Sequence, residues 1–267
     1  MTLSLFDRPA VLFLPASRPS AIEKARNSAA DLVILDLEDA VKEADKDGAR
    51  AAAIDALSAE WPMPVAIRVN GTESRWHDED VKAVAESPAA LVVLPSVHSA
   101  DEVSAVKRRL AKPLAAMIET PAAVLDAPFI ARAADALIVG TNDLAAGLRL
   151  PAGAGRAAMA SALQMTVLAA RAAGVAVFDG VFNRLDDSDG FCAEARESRT
   201  LGFDGKTLIH PDQIAPCHAA FAPTDAELDR ARRLVDAASG GAERFEGAMV
   251  EAMHVDAAKR LLDRGAR

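Results

Sequence analysis

Eight short apolar runs recur along the chain, at Val11–Leu14, Leu32–Leu35, Val65–Val69, Leu91–Leu94, Leu114–Ile118, Ala136–Val139, Val175–Phe178 and Phe203–Ile209. Within most of the runs the apolarity is continuous and does not alternate, although Arg68 interrupts the third and Asp204, Lys206 and Thr207 the eighth. That pattern describes a strand buried on both faces, as in a parallel sheet covered by helices. The stretches between the runs are amphipathic and carry helix punctuation. Pro19 opens one soon after Ser17, Ser99 and Glu102 are spaced as a capping box, and Pro121 begins another. Gly174 and Gly202 fall where a helix C-cap takes a left-handed residue before the next strand. Eight strand–helix units predict an α/β protein, a closed (β/α)8 TIM barrel. An open doubly wound sheet would place a glycine-rich phosphate loop after its first strand, and Pro15-Ala-Ser-Arg-Pro19 is not one.

With 267 residues, 51% of them hydrophobic, the chain can bury a large core without disulfides or a structural metal. Cys192 and Cys217 form no CxxC pair and have no histidine at zinc spacing. The net charge of −9 with no basic run excludes a nucleic-acid footprint. No apolar run approaches the roughly 20 residues needed to span a bilayer, and Met1–Pro9 carries no basic-then-apolar leader, so a cytoplasmic protein is expected. Residues 1–222 are expected to form the barrel and 223–267 a helical extension. In that extension a Thr224/Glu227 box opens a helix to Ala238, Ser239-Gly-Gly241 is a hinge, and a last helix runs from about Met249 to Leu262. The extension reads either as packing against a neighbouring subunit or as a lid.

Barrel enzymes gather their chemistry at the C-terminal ends of the strands. There the chain places Asp36-Leu-Glu38-Asp39, Arg68-Val-Asn70, Glu119-Thr120, Gly140-Thr-Asn-Asp143, Asp179 and His210, a convergence of charged groups on one mouth. Bare carboxylates in one cleft repel one another, and a divalent cation removes the conflict. Glu119 and Asp143 follow adjacent strands with no cysteine or histidine beside them, an oxygen-only pair suited to Mg²⁺. Arg68 is either a structural partner of Asp36 or Glu38, or a bidentate holder of a substrate carboxylate; the second role is expected.

Several segments together resemble the HpcH/HpaI aldolase–citrate lyase β-subunit superfamily and its CitE-like branch. They are Leu12-Phe-Leu-Pro-Ala-Ser-Arg-Pro19, Val33-Ile-Leu-Asp-Leu-Glu-Asp-Ala-Val41, Ile67-Arg-Val-Asn70, Ile118-Glu-Thr120, Gly140-Thr-Asn-Asp-Leu144 and Leu201-Gly-Phe-Asp-Gly-Lys-Thr-Leu-Ile-His-Pro211. The resemblance implies a PEP/pyruvate-type barrel, homo-oligomeric as a trimer or hexamer. Its implied activity is Mg²⁺-dependent cleavage or formation of a 3-hydroxyacyl-CoA thioester, giving an acyl-CoA and a 2-oxo acid. It assigns Mg²⁺ to Glu119 and Asp143, the carboxylate to Arg68, substrate contacts to Asp36 and Asn142, and a supporting acidic role to Glu38. Arg18 and Lys24 would lie near coenzyme A phosphates. The branch takes its general acid from a C-terminal Gly-x-Met-Ile/Val-Asp motif of a neighbouring subunit, which reads Gly247-Ala-Met-Val-Glu251 in this chain, with Glu251 in place of Asp.

Two departures stand out: Glu251 itself, and Pro95-Ser-Val-His98 where a lysine usually follows the fourth strand. The rival readings are a CoA-independent class II pyruvate aldolase of the HpaI type and a non-catalytic, metabolite-binding barrel. The first uses a histidine after the second strand, and residues 36–45 contain none.

Overall fold

A computed structural model describes residues 3–265. All eight apolar runs form strands: β1 (Ala10–Pro15), β2 (Leu32–Asp36), β3 (Val65–Arg68), β4 (Leu91–Leu94), β5 (Leu114–Ile118), β6 (Ala136–Val139), β7 (Ala176–Asp179) and β8 (Gly205–Leu208). They pair in parallel in chain order, and β1 also pairs with β8, so the sheet closes. The strand side chains that fill the barrel are apolar and fully enclosed, among them Ile34, Leu91, Val93, Ile138 and Phe178. Burial on both faces explains why the runs are continuous.

The strands alternate with helices α1 (Pro19–Arg26), α2 (Lys46–Ala56), α3 (His77–Ala85), α4 (Ala100–Leu110), α5 (Pro121–Ala133), α6 (Thr141–Gly147), α7 (Ala160–Ala173), α8 (Ser188–Leu201) and α9 (Ile214–Phe221). Gly174 and Gly202 end α7 and α8 with φ of 73° and 98°. The expected box at α4 is half made. Ser99 accepts the Glu102 N–H, but the Glu102 carboxylate reaches past Ser99 to the His98 N–H at 2.8 Å and the Thr72 hydroxyl at 2.6 Å.

The chain divides into two compact units between Ala220 and Phe221. The second contains α10 (Asp225–Ala237), a hairpin of β9 (Glu243–Phe245) and β10 (Ala248–Val250), and α11 (Ala252–Gly265). The complete Thr224/Glu227 box opens α10. The hairpin corrects the expected hinge-then-helix: Met249 lies in β10, and the helix begins only at Ala252. Leu234, Val250 and Ala258 make this unit's own small core. No described helix is long and apolar enough to cross a membrane.

Candidate active site

Asp36 ends β2 and Arg68 ends β3, and the register sets them side by side. Arg68 Nε and Nη2 donate to the two Asp36 oxygens at 2.6 and 2.7 Å. The same oxygens accept the N–H groups of Glu38 and Ala40, which folds the following loop back over the strand end. With both oxygens doubly used, Asp36 orients Arg68 and has no lone pair left for a substrate. The fork of Arg68 is thereby taken. Its Nη1 alone remains, 2.9 Å from Glu38 and 3.4 Å from Asp39, and its guanidinium carbon lies 5.1 Å from the centroid of the Phe13 ring. Sequence reasoning missed what lies beneath this loop. Lys46 donates to the Leu37 and Glu38 carbonyls and to Asn70, while Asn70 donates to Asp80. Buried polar groups satisfied this fully make a rigid platform, and a lysine in an amphipathic helix gives no sequence signal of it.

Glu119 follows β5. Its Oε1 accepts the Ser96 N–H at 2.5 Å, and its buried Oε2 has no hydrogen-bond partner. Asp143, in the first turn of α6, is exposed. The Glu38 carboxyl is pushed up to about 8, chiefly by burial, with Asp39, Glu119 and Asp36 adding to the rise and Arg68 pulling against it. Burial also raises Glu119, with Asp143 adding to the shift and the Ser96 N–H opposing it. Asp143, exposed as a residue but with a partly buried carboxyl, is raised by that desolvation and by Asp39 against the pull of Arg68. Three carboxyl groups that resist ionisation mark a cluster short of positive charge.

These groups surround a cavity of about 450 Å³ lined by Arg18, Asp36, Asp39, Arg68, Asn142 and Asp143 over an apolar floor that includes Phe13 and Met117. Glu119 lies directly behind the lining residue Gly140. Asn142 is hydrogen-bonded to Asn183 at 2.6 Å on the rim. A second depression shares Arg18 and Ala40 with the first and carries Lys42. Lys24, expected beside Arg18, is exposed on α1 and lines neither depression. Glu251 stands in the second unit, just before α11, where its N–H donates to His254 Nδ1.

Two expected mouth groups do other work. Asp179 pairs in register with Lys206 across β7 and β8, and both are fully buried. Lys206 donates to Asp179, to the Gly180 carbonyl and to Glu194, and Arg156 approaches Asp179 within 3.0 Å. The two cations hold Asp179 below the usual carboxylate range despite its burial. It is a structural pair under the β7–β8 loops. His210 caps the turn after β8 by accepting the Asp212 N–H.

A hard divalent cation suits the remaining donors. Among the described residues no three histidine, cysteine or carboxylate side chains group as a metal cage. Glu119 and Asp143 offer two carboxylates, one with a partnerless buried oxygen, and would leave the other positions to water and substrate.

Residues 9–211 match the HpcH/HpaI aldolase/citrate lyase family. The chain is 40% identical to a (3S)-malyl-CoA thioesterase of Cereibacter sphaeroides, over 94% of this chain and 92% of that protein. It is 32% identical to the citrate lyase subunit beta of Escherichia coli, over 96% and 93%. The crystal structure of CitE from Mycobacterium tuberculosis in complex with magnesium, acetoacetate and coenzyme A superposes with a TM-score of 0.88 at 33% identity, covering 98% of this chain and all of that one.

Proposed function

The chain belongs to the HpcH/HpaI aldolase/citrate lyase family, in its CitE-like branch, and from that premise we propose that it is a Mg²⁺-dependent carbon–carbon lyase acting on a 3-hydroxyacyl-CoA thioester. The products are an acyl-CoA and a 2-oxo acid. One observation carries this reading: Arg68, locked by Asp36, lines one cavity with Asp143 and with Gly140, against which the partnerless oxygen of Glu119 lies. Bound by Glu119 and Asp143, Mg²⁺ would neutralise both carboxylates and supply Lewis acidity to the oxygens of the 2-oxo acid.

The chain's own residues do the rest. Arg68 Nη1 holds a substrate carboxylate through one charge-assisted hydrogen bond, and Asp36 keeps it aimed. Glu38, protonated up to about pH 8, places a neutral acid beside Arg68. Asn142 contacts the substrate from the rim. Arg18, with Lys42 in the place first assigned to Lys24, faces the coenzyme A phosphates from the adjoining depression. Cleavage between the carbinol carbon and the thioester α-carbon turns the carbinol into the carbonyl of the 2-oxo acid, its hydroxyl proton passing to solvent, and leaves a thioester enolate, which needs a proton on carbon. We assign that proton to Glu251 of a neighbouring copy in a homotrimer or hexamer. Residues 1–222 then act as the catalytic barrel and 223–267 as the extension that carries Glu251.

The relative named as a malyl-CoA thioesterase supports a second reading, hydrolysis of the thioester. One assay separates the two. Malyl-, citramalyl-, methylmalyl- and citryl-CoA are supplied with Mg²⁺ while 2-oxo acid and free thiol are followed together. A lyase releases 2-oxo acid without free thiol, and a thioesterase releases thiol without 2-oxo acid. Glu119→Gln or Asp143→Asn should abolish turnover with the far-ultraviolet dichroism intact. Wild-type rates in excess EDTA equal to those in Mg²⁺ would refute the metal assignment.

A further inference from the structure

Glu119 is held from two sides by backbone. We propose that Ser96 and Gly140 are positioning residues that set how tightly Glu119 takes a divalent cation, an inference that rests on the reading of Glu119 as a cation ligand. Ser96 follows β4 and has φ of 49°, in the left-handed region that non-glycine residues rarely adopt. That conformation turns its N–H onto Glu119 Oε1 at 2.5 Å, and the Ser96 hydroxyl donates to the same oxygen over a longer 3.3 Å. On the other side, a Cβ at Gly140 would come within 2.5 Å of the Glu119 Cβ and would overlap Oε2. One oxygen is therefore anchored, and the other lies against a backbone position that only glycine leaves open. The second oxygen is buried and partnerless. A carboxylate fixed in this way meets a cation with little left to order, and hydrogen bonds behind a ligand tune its affinity.

The shorter of the two bonds comes from the backbone N–H and is the main anchor, which predicts an unusual ranking at position 96. Glycine keeps the donor and adopts the left-handed conformation freely. Valine is β-branched, disfavours that conformation and turns the N–H away. Metal-stripped full-length protein is titrated with Mn²⁺, and free Mn²⁺ is read by electron paramagnetic resonance, with thermal melts alongside. Ser96→Gly should bind within about twofold of wild type, and Ser96→Val and Gly140→Ala about ten- to a hundredfold more weakly, the range for lost support behind a ligand. Because the added methyl of Gly140→Ala also collides with the Cβ and carboxyl carbon of Glu119 itself, the Ser96 pair decides the matter. A Ser96→Val protein that binds like wild type overturns the proposal, and so does a Ser96→Gly protein as weak as Ser96→Val. Glu119→Gln separates the two levels. If it binds Mn²⁺ as wild type does, the reading of Glu119 as a ligand falls; if it loses Mn²⁺ while Ser96→Val keeps it, only the positioning claim falls.

Discussion

Arg68 binds in two directions at once, so replacing it has two costs. In Arg68→Lys the charge stays but the planar fork to Asp36 is lost along with the donor turned to the cavity. A lost charge-assisted contact costs about 1.5–3 kcal/mol. The dissociation constants of pyruvate, glyoxylate and oxaloacetate in Mg²⁺ should therefore rise roughly ten- to a hundredfold, and unchanged constants for all three would leave Arg68 a purely structural role. Glu38 gives a prediction in pH. Its carboxyl ionises near 4.5 in an unfolded chain and near 8 in the fold. Between those values the unfolded chain gives up a proton that the folded chain keeps, so the metal-free fold loses stability as pH rises through the window. Urea melts in EDTA at pH 5, 6.5 and 8 should show that decline in wild type and a flatter profile in Glu38→Gln. Parallel profiles would mean that Glu38 does not titrate in this range. Arg68, Glu119 and Asp143 could be picked out in the sequence because each follows an apolar run. Which nitrogen of Arg68 is left unbound by Asp36 could not, because it depends on the β2–β3 register and on lone pairs taken by the Glu38 and Ala40 N–H groups. The same limit hid Asp179: only its pairing in register with Lys206 removes it from the mouth.

At the scale of elements, most strands were legible because a two-sided buried strand writes itself as an unbroken apolar run; β8, with Lys206 and Thr207 inside it, is the exception. The hairpin was not legible. Its strands Glu243–Phe245 and Ala248–Val250 are three residues each, too short for an alternating pattern to register. The β8 edge carries a prediction of its own. Gly205 opens β8, and a Cβ there would stand 2.6 Å from the Cα and carbonyl oxygen of Pro9, just before β1. Backbone cannot give way as a side-chain tip does. Gly205→Ala should cost about 1–3 kcal/mol or more, with the melting temperature falling by roughly 2–4 °C for each kcal/mol. A melting curve superimposable on wild type would show that the seam between β8 and β1 is looser than its geometry implies.

At the scale of the whole molecule, the assignment of Glu251 depends on assembly. Glu251→Gln should keep 2-oxo acid binding and lose roughly 10²–10⁴-fold in turnover, the usual worth of a general acid. Subunits carrying Glu251→Gln mixed with subunits carrying Glu119→Gln make the test. If the acid crosses an interface, mixed oligomers contain sites with both residues intact and recover activity that neither parent has. No recovery, once mixed oligomers are shown to have formed, would place the acid within its own chain. The pairing of β1 with β8 bears on biosynthesis as well. Ala10, Val11 and Leu12 take Lys206, Thr207 and Leu208 as partners, so the first strand emerges from the ribosome long before the strand that closes on it. At roughly 5–20 residues per second, the interval is on the order of 10–40 s. For that time one edge of an apolar sheet is open to any other strand in the cell, and ribosome-bound chains halted before residue 205 are the species most in need of a chaperone.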